Sequence, residues 1–264
     1  MPGFPIWYEL MSGDLAGVRD FYRATLGWNI PDDSMTMPDG SEYRVIERSD
    51  GGYAGGALSL TPDMTNSGMQ PNWMPYFHAV DVDEAAGKVT RLGGEVHMPP
   101  TDIPGAGRIA MASDPQGALF YLMDPEPPED QPDAQSDVFS ESQAGHCRWN
   151  EITTTDSEGA REFYTALFGW NTDQSMPMGP LGDYRFIEAD GVQIGAINPA
   201  LADGARPHWG AIFGVEDIDA ARAAAEAHGG SVSHDVHEIP GGEFAFYGFD
   251  PAGAKVAFVG PRKA

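Results

Sequence analysis

The chain has 264 residues, 41% of them hydrophobic and 11% aromatic, enough apolar material for two domains of ordinary size and far from the composition of a disordered protein. Forty acidic against 15 basic residues give a formal charge of -25, which repels phosphate backbones and anionic membrane surfaces and so argues against nucleic acid and membrane as partners. The single cysteine, Cys147, excludes an intramolecular disulfide and a cysteine-only metal cluster, and with no secretory leader or long apolar run the expected location is a reducing cytoplasm.

In chain order, Trp7 to Leu10 alternates as a short strand, and residues 14–26 place Leu15, Val18, Phe21, Tyr22 and Leu26 on one helical stripe. Ser12 or Gly13-Asp14 starts that helix and Gly27 stops it. Strands follow over 43–48 and 53–60, divided by the turn Ser49-Asp50-Gly51-Gly52. A second round brings a strand over 73–80, a helix over 83–92 ended by Gly93-Gly94, and strands over 95–98, 108–112 and 119–123. Residues 124–145 then hold four prolines and seven acidic residues, with Val138 and Phe139 as their only large apolar side chains. Such a segment buries too little surface to offset its ordering entropy and reads as an extended linker, open to protease between 130 and 142.

After the linker the pattern returns. Trp7-Tyr8-Glu9-Leu10 recurs as Trp149-Asn150-Glu151-Ile152, and Phe21-Tyr22 with Leu26-Gly27-Trp28 recurs as Phe163-Tyr164 with Phe168-Gly169-Trp170. Tyr43-Arg44 returns as Tyr184-Arg185, and Asp114-Pro115-Gln116-Gly117 returns as Asp250-Pro251-Ala252-Gly253. The chain is therefore a duplication, with one copy over 1–123, a linker over 124–145 and a second copy over 146–264. Each copy is expected to be an α+β domain with its own core, a mixed sheet carrying its helices on one side.

An aromatic-x-Glu strand, then Phe-Tyr-x-x-x-Leu/Phe-Gly-Trp, then a late Asp-Pro-x-Gly, found twice in the same order, resembles the vicinal oxygen chelate superfamily of glyoxalases, bleomycin-resistance proteins and dioxygenases. The resemblance implies that two βαβββ modules per domain form a cup-shaped sheet with helices outside, and it leaves open whether the two domains pair within the chain. It also implies a small-molecule ligand, bound through a divalent ion to which four strands each offer His, Gln or Glu. Mapped along the motifs, those four places fall on Glu9, on Gly55-Gly56-Ala57, within one residue of Phe77 and so beside His78, and on Tyr121 in the first copy. In the second they fall on Glu151, Gly195-Ala196-Ile197, Phe213 and Ala257. One carboxylate per cup is too few for a stable divalent site, so no metal and no other cofactor is expected.

The carboxylates remain as candidates for catalysis. Glu9 and Glu151, set between apolar residues on a strand, must be paired, protonated or useful if buried, and a lone carboxylate can move a proton next to a carbonyl without a metal. The competing structural reading gives each a hydrogen bond from Arg44, Arg185 or a backbone amide. Around them the candidate ligand-binding residues are Trp7, Trp73, Phe77 and Tyr121 in the first cup and Trp149, Trp209 and Phe213 in the second. Trp7 and Trp149 are equally readable as core. Phe21, Tyr22, Phe163 and Tyr164 are core by helical spacing, with Trp28 and Trp170 closing it. Strand alternation puts His78 opposite Phe77, under the helices, while His234 and His237, three apart, lie in loop or strand. The expected function is binding of a small, partly apolar molecule, with metal-independent lyase or isomerase chemistry. The alternatives are a non-catalytic sequestering protein of the bleomycin-resistance type and a metal-dependent glyoxalase or dioxygenase with unusual ligands.

Overall fold

The computed structural model describes residues 2–37, 39–127, 131, 134–202 and 204–263. Two eight-stranded sheets follow the two copies. The first copy contributes β1 (Pro5–Ser12), β2 (Met35–Thr36), β3 (Glu42–Glu47), β4 (Tyr53–Ser59), β5 (Asn72–His78), β6 (Glu95–Ile103), β7 (Gly107–Ser113) and β8 (Leu119–Pro125). Its helices are α1 (Arg19–Leu26), α2 (Pro62–Asn66) and α3 (Val82–Arg91). The second copy contributes β9 (Cys147–Thr153), β10 (Ser175–Pro177), β11 (Asp183–Ala189), β12 (Val192–Asn198), β13 (His208–Gly214), β14 (Ser231–Glu238), β15 (Phe244–Phe249) and β16 (Lys255–Gly260), with helices α4 (Ser157–Phe168) and α5 (Ile218–Ala227).

The strand orders are β2-β3-β4-β1-β5-β8-β7-β6 and β10-β11-β12-β9-β13-β16-β15-β14, so the second sheet repeats the first strand for strand. In each, the first strand of every module runs parallel to the strand three places later in the chain (β1 with β4, β5 with β8, β9 with β12, β13 with β16), and the remaining pairs within a module are antiparallel. The short helix α2 is an element that the apolar periodicity does not announce. It is held by Thr61, whose hydroxyl accepts the Met64 amide, and by Pro62 in its first turn.

Helix ends follow their capping residues. Gly27 and Gly169 take left-handed conformations (φ 70° and 79°) that close α1 and α4, where a side chain would be strained. Asp14 and Asp156 cap the same turn in the two copies, accepting the Gly17 and Gly159 amides at 2.8 and 2.9 Å. In the first copy the chain stays in a turn until α1 begins at Arg19, so the helix is shorter than its apolar stripe predicts.

The compact units do not follow the copies. One comprises Met1–Ile6, Pro75–Ser136 and Trp149–Trp209; the other comprises Trp7–Met74, Asp137–Arg148 and Gly210–Ala264. The first unit is centred on Phe77, which is wholly buried and meets Trp209, Trp170 and Phe168 at ring separations of 5.1, 5.2 and 5.4 Å. In the second unit Phe213 does the same against Trp28 and Trp73 at 4.8 and 4.9 Å, and α1 packs on α5. Each core thus draws on both copies, against the expectation of one core per copy. In each unit the first module of one copy is completed by the second module of the other.

A hydrogen-bonded chain fixes each of these pairings. In the second unit Trp73 Nε1–H donates to Tyr22 Oη (2.9 Å), and Tyr22 O–H donates to Asp250 Oδ2 (2.9 Å). Asp250 Oδ1 accepts the Ala252 and Ala254 amides, which folds the Asp-Pro-x-Gly turn. In the first unit Trp209, Tyr164 and Asp114 make the same chain at 2.9 and 3.1 Å. Burial raises both carboxyl groups above the usual carboxylate range, and burial together with the adjacent carboxylate raises both phenols.

The segment read as a linker is partly docked. Val138 is 1% exposed within the second unit's core, and Cys147 N donates to its carbonyl. Asp137 pairs with the buried Arg48 guanidinium at 2.6 Å. The two apolar side chains that interrupt the acidic run supply the physical reason. Residues 128–130, 132 and 133, which carry the most acidic part of that run, lie outside the described residues.

Candidate functional site

Alternation along β1 sends Tyr8 and Leu10 into the core and Trp7, Glu9 and Met11 to the opposite face. Glu9 is 3% exposed and stands in register with Gly56 on β4. Tyr43 reaches across from β3 and lies over Gly56, where a side chain would collide with its phenol. Trp7 Nε1–H donates to Tyr43 Oη at 2.8 Å. Burial raises the Tyr43 phenol far above its ordinary value, and the negative charge of Glu9 adds to the rise. Trp7, Tyr43 and Glu9 therefore form one cluster inside the second unit.

The second copy builds the same cluster inside the first unit. Glu151, 7% exposed, is in register with Ala196 on β12. Trp149 Nε1–H donates to Tyr184 Oη at 2.8 Å, and Tyr184 O–H donates to Glu151 Oε2 at 2.8 Å. The direction of this chain is set by chemistry. An indole N–H can only donate, so it occupies a lone pair of the phenol oxygen, and the phenol's one proton is directed to the carboxylate. A hydrogen bond to an ionised carboxylate is about twice as strong as a neutral one, which offsets part of the cost of burying Glu151. Phe186, in register with Ala196, stands edge-on to Trp149 and Tyr184 at 6.1 and 5.8 Å.

The partner of the buried Glu151 is thus tyrosine, and in the first copy Arg44 bonds Glu42 at 2.9 Å. Tyr43 and Tyr184 are the site residues that sequence reasoning missed, although their recurrence was visible. Tyr is a common strand residue, and only the sheet register shows that its hydroxyl crosses one strand to reach the glutamate.

Of the aromatic candidates, Trp7 and Trp149 lie with their glutamates. Trp73, Phe77, Trp209 and Phe213 belong to the aromatic cores described above, and all are 5% exposed or less. Tyr121 occupies the other face of its strand, stacked on Tyr76 at 4.1 Å and 16°. Tyr76 pairs with Tyr121, and Phe77 with Leu122, so along β5 it is Tyr76 and His78 that share the Tyr121 face. The expected opposition of Phe77 and His78 holds with the sides exchanged.

The places where this fold would present metal donors do not fit a divalent ion. At Gly55 and Gly195 even a Cβ would strike the carbonyls of Tyr8 and Asn150, Phe77 and Phe213 are core rings, and Tyr121 and Ala257 stand where the last carboxylate would be, which leaves Glu9 and His78 as the donors at these places in the first sheet and Glu151 in the second. Among the described residues no group of three or more His, Cys, Asp or Glu converges on one point.

The family model of the Glyoxalase/Bleomycin resistance protein/Dioxygenase superfamily matches residues 6–122 and 143–258. The chain belongs to this superfamily. Over 260 residues it is 32% identical to "Putative glyoxylase CFP32" of Mycobacterium tuberculosis, covering 98% of this chain and 95% of that protein. It is 30% identical over 277 residues to the anthracycline biosynthesis protein DauV of Streptomyces sp. strain C5, covering 100% and 95%. Among solved structures, the 2,3-dioxygenase LapB of Pseudomonas sp. KL28 shares the glyoxalase-superfamily fold with a TM-score of 0.64 at 14% identity, over 100% of this chain and 94% of that one.

Proposed function

We propose that this superfamily member binds a small, partly apolar molecule and moves a proton on it without a metal, with Glu151, and in the first copy Glu9, as the acid–base group. The observation that carries this reading is the Trp–Tyr–Glu chain of the second copy, a nearly buried carboxylate fixed by a phenol that is itself fixed by an indole, with the same Trp–Tyr hydrogen bond beside the buried Glu9 in the first. A carboxylate held this way has one oxygen committed to Tyr184, leaving Oε1 of Glu151 to meet a substrate C–H or carbonyl-bound proton. Proton abstraction next to a carbonyl is the chemistry such a group performs, giving lyase or isomerase reactions.

The test is Glu151→Gln and Glu9→Gln, each measured for ligand binding or turnover and for melting temperature. Glutamine keeps shape and hydrogen-bonding capacity but lacks basicity. Turnover should fall at least a hundredfold in one variant, the lower range for removal of a general base. Unchanged binding and turnover in both, with altered melting only, would leave the carboxylates structural.

A further inference from the structure

The two copies differ at one turn on the helix side of their sheets. Asp14 and Asp156 cap this turn alike, so Ala16 and Glu158, each two places further on, hold the same position in it. Arg19 and Arg161 follow three residues later, and Arg44 and Arg185 recur on β3 and β11, the second strand from the sheet edge in each copy. Arg44 stands in register with Ala57, which is in register with Leu10, so it shares their face and points away from Glu9 and Tyr43. The place is therefore separate from the Trp–Tyr–Glu cluster.

In the second copy the turn supplies its own anion. Arg161 Nε–H donates to Glu158 Oε1 at 2.8 Å, and Arg161 Nη2–H donates to the same oxygen. Hydrogen bonding to Arg161 holds the Glu158 carboxyl below its ordinary range, and the charges of Arg161 and Arg185 lower it further. One carboxylate thus faces the charge of two guanidinium groups.

In the first copy both arginines remain and that carboxylate does not. Arg19 Nη1 pairs with Asp32 and Arg44 Nη2 with Glu42, acids that are themselves half exposed or more. Arg19 Nε, the counterpart of the atom that holds Glu158, is buried and makes no hydrogen bond among the described residues, and the same is true of Arg44 Nε and Nη1. The two arginine side chains are 18% and 10% exposed, so water compensates these donors poorly and an acceptor would stabilise them. Ala16 is exposed, so the space over its methyl, into which Glu158 extends in the second copy, opens to solvent. Beyond the Cβ that alanine keeps, glutamate carries one methylene and a carboxylate, which is the heavy-atom frame of acetate.

We propose that the first copy binds a small organic acid at this turn, its carboxylate accepting from Arg19 Nε and facing Arg44, and its α-carbon over the Ala16 methyl. The acid is a small molecule and not an acidic protein segment. A chain of charge -25 repels a macroanion at long range, whereas two poorly hydrated guanidinium groups hold a single carboxylate at short range. This inference does not depend on the proton-transfer role of Glu9 and Glu151.

The experiment titrates the full chain with sodium acetate against sodium chloride at constant ionic strength and follows the arginine Nε–H resonances by heteronuclear NMR. Arg19→Lys and Arg44→Lys assign the two signals by their loss. Saturable shifts of both are expected, with Arg161 unmoved because Glu158 already holds it. Ala16→Glu, at an exposed position, installs the second copy's carboxylate and should weaken acetate about tenfold, the worth of one charge-assisted hydrogen bond. Glu158→Ala should create the same acetate response at Arg161. Circular dichroism verifies that each variant is folded. Shifts that are absent, that fail to saturate or that chloride produces equally would overturn the proposal, as would an acetate titration unchanged in Ala16→Glu. A glutamate-rich peptide that binds more tightly than acetate at equal carboxylate concentration would assign the turn to a protein partner and overturn the small-acid reading. Failure of Glu151→Gln to affect turnover would leave this inference standing.

Discussion

Replacing Tyr22 with Phe removes one oxygen and leaves two buried groups without their partner. Trp73 Nε1–H loses its acceptor at 2.9 Å, and Asp250 Oδ2 loses its donor at 2.9 Å, in a residue only 3% exposed. An orphaned buried donor costs about 1–2 kcal/mol and an orphaned buried carboxylate oxygen more, so the loss should be about 3–5 kcal/mol, with little contribution from packing because the ring remains. At about 2–4 °C per kcal/mol for a chain of this size, the melting temperature should fall by roughly 10 °C. Urea denaturation followed by tryptophan fluorescence and circular dichroism reads this directly. In the Tyr22→Phe background, Asp250→Asn should cost at least 1 kcal/mol less than in the wild type, because the two changes delete the same bond. A loss below about 1 kcal/mol, or strict additivity of the two changes, would refute the view that this chain clamps the module pairing.

Phe77→Ala should destabilise by about 3–5 kcal/mol, measured by urea denaturation, because the ring is fully buried among Trp209, Trp170 and Phe168; a smaller loss with altered ligand binding would return it to the site. Tyr184→Phe should lower affinity or turnover about 3- to 30-fold by releasing Glu151, with no comparable loss when Phe186 is changed to Leu, as steady-state kinetics or titration will show. Because burial raises the Asp114 and Asp250 carboxyls, their titration adds stability that is complete below the unfolded value near 4 and is lost as pH rises through the higher folded value. Wild-type stability relative to Asp250→Asn should therefore be greatest at acid pH and decline toward neutrality, and a gap that widens toward neutrality would contradict the burial. A fragment ending at residue 136 should not be a stable folded monomer, since each compact unit needs segments of both copies; sedimentation and amide exchange on the isolated fragment decide this.

The duplication, the α+β class, the superfamily and the order of elements apart from β2 and α2 were legible in the sequence, because strand and helix periods and turn glycines are local properties that recur at fixed offsets. Glu9 and Glu151 could be singled out for the same reason: a carboxylate between apolar strand residues is conspicuous without knowing its neighbours. Its partner was not legible, since Tyr43 lies 34 places and Tyr184 33 places along the chain, and only the pairing register of three strands brings each hydroxyl to its site. The side chosen by Phe77 and His78 was equally beyond reach of alternation, which fixes that neighbours oppose one another but not which of them meets the core. The tertiary structure decided that point by placing Phe77 among the rings of the second copy's module. It also decided that each core is built from both copies, because a module's apolar face records how much surface must be buried and says nothing about which of two homologous partners will bury it.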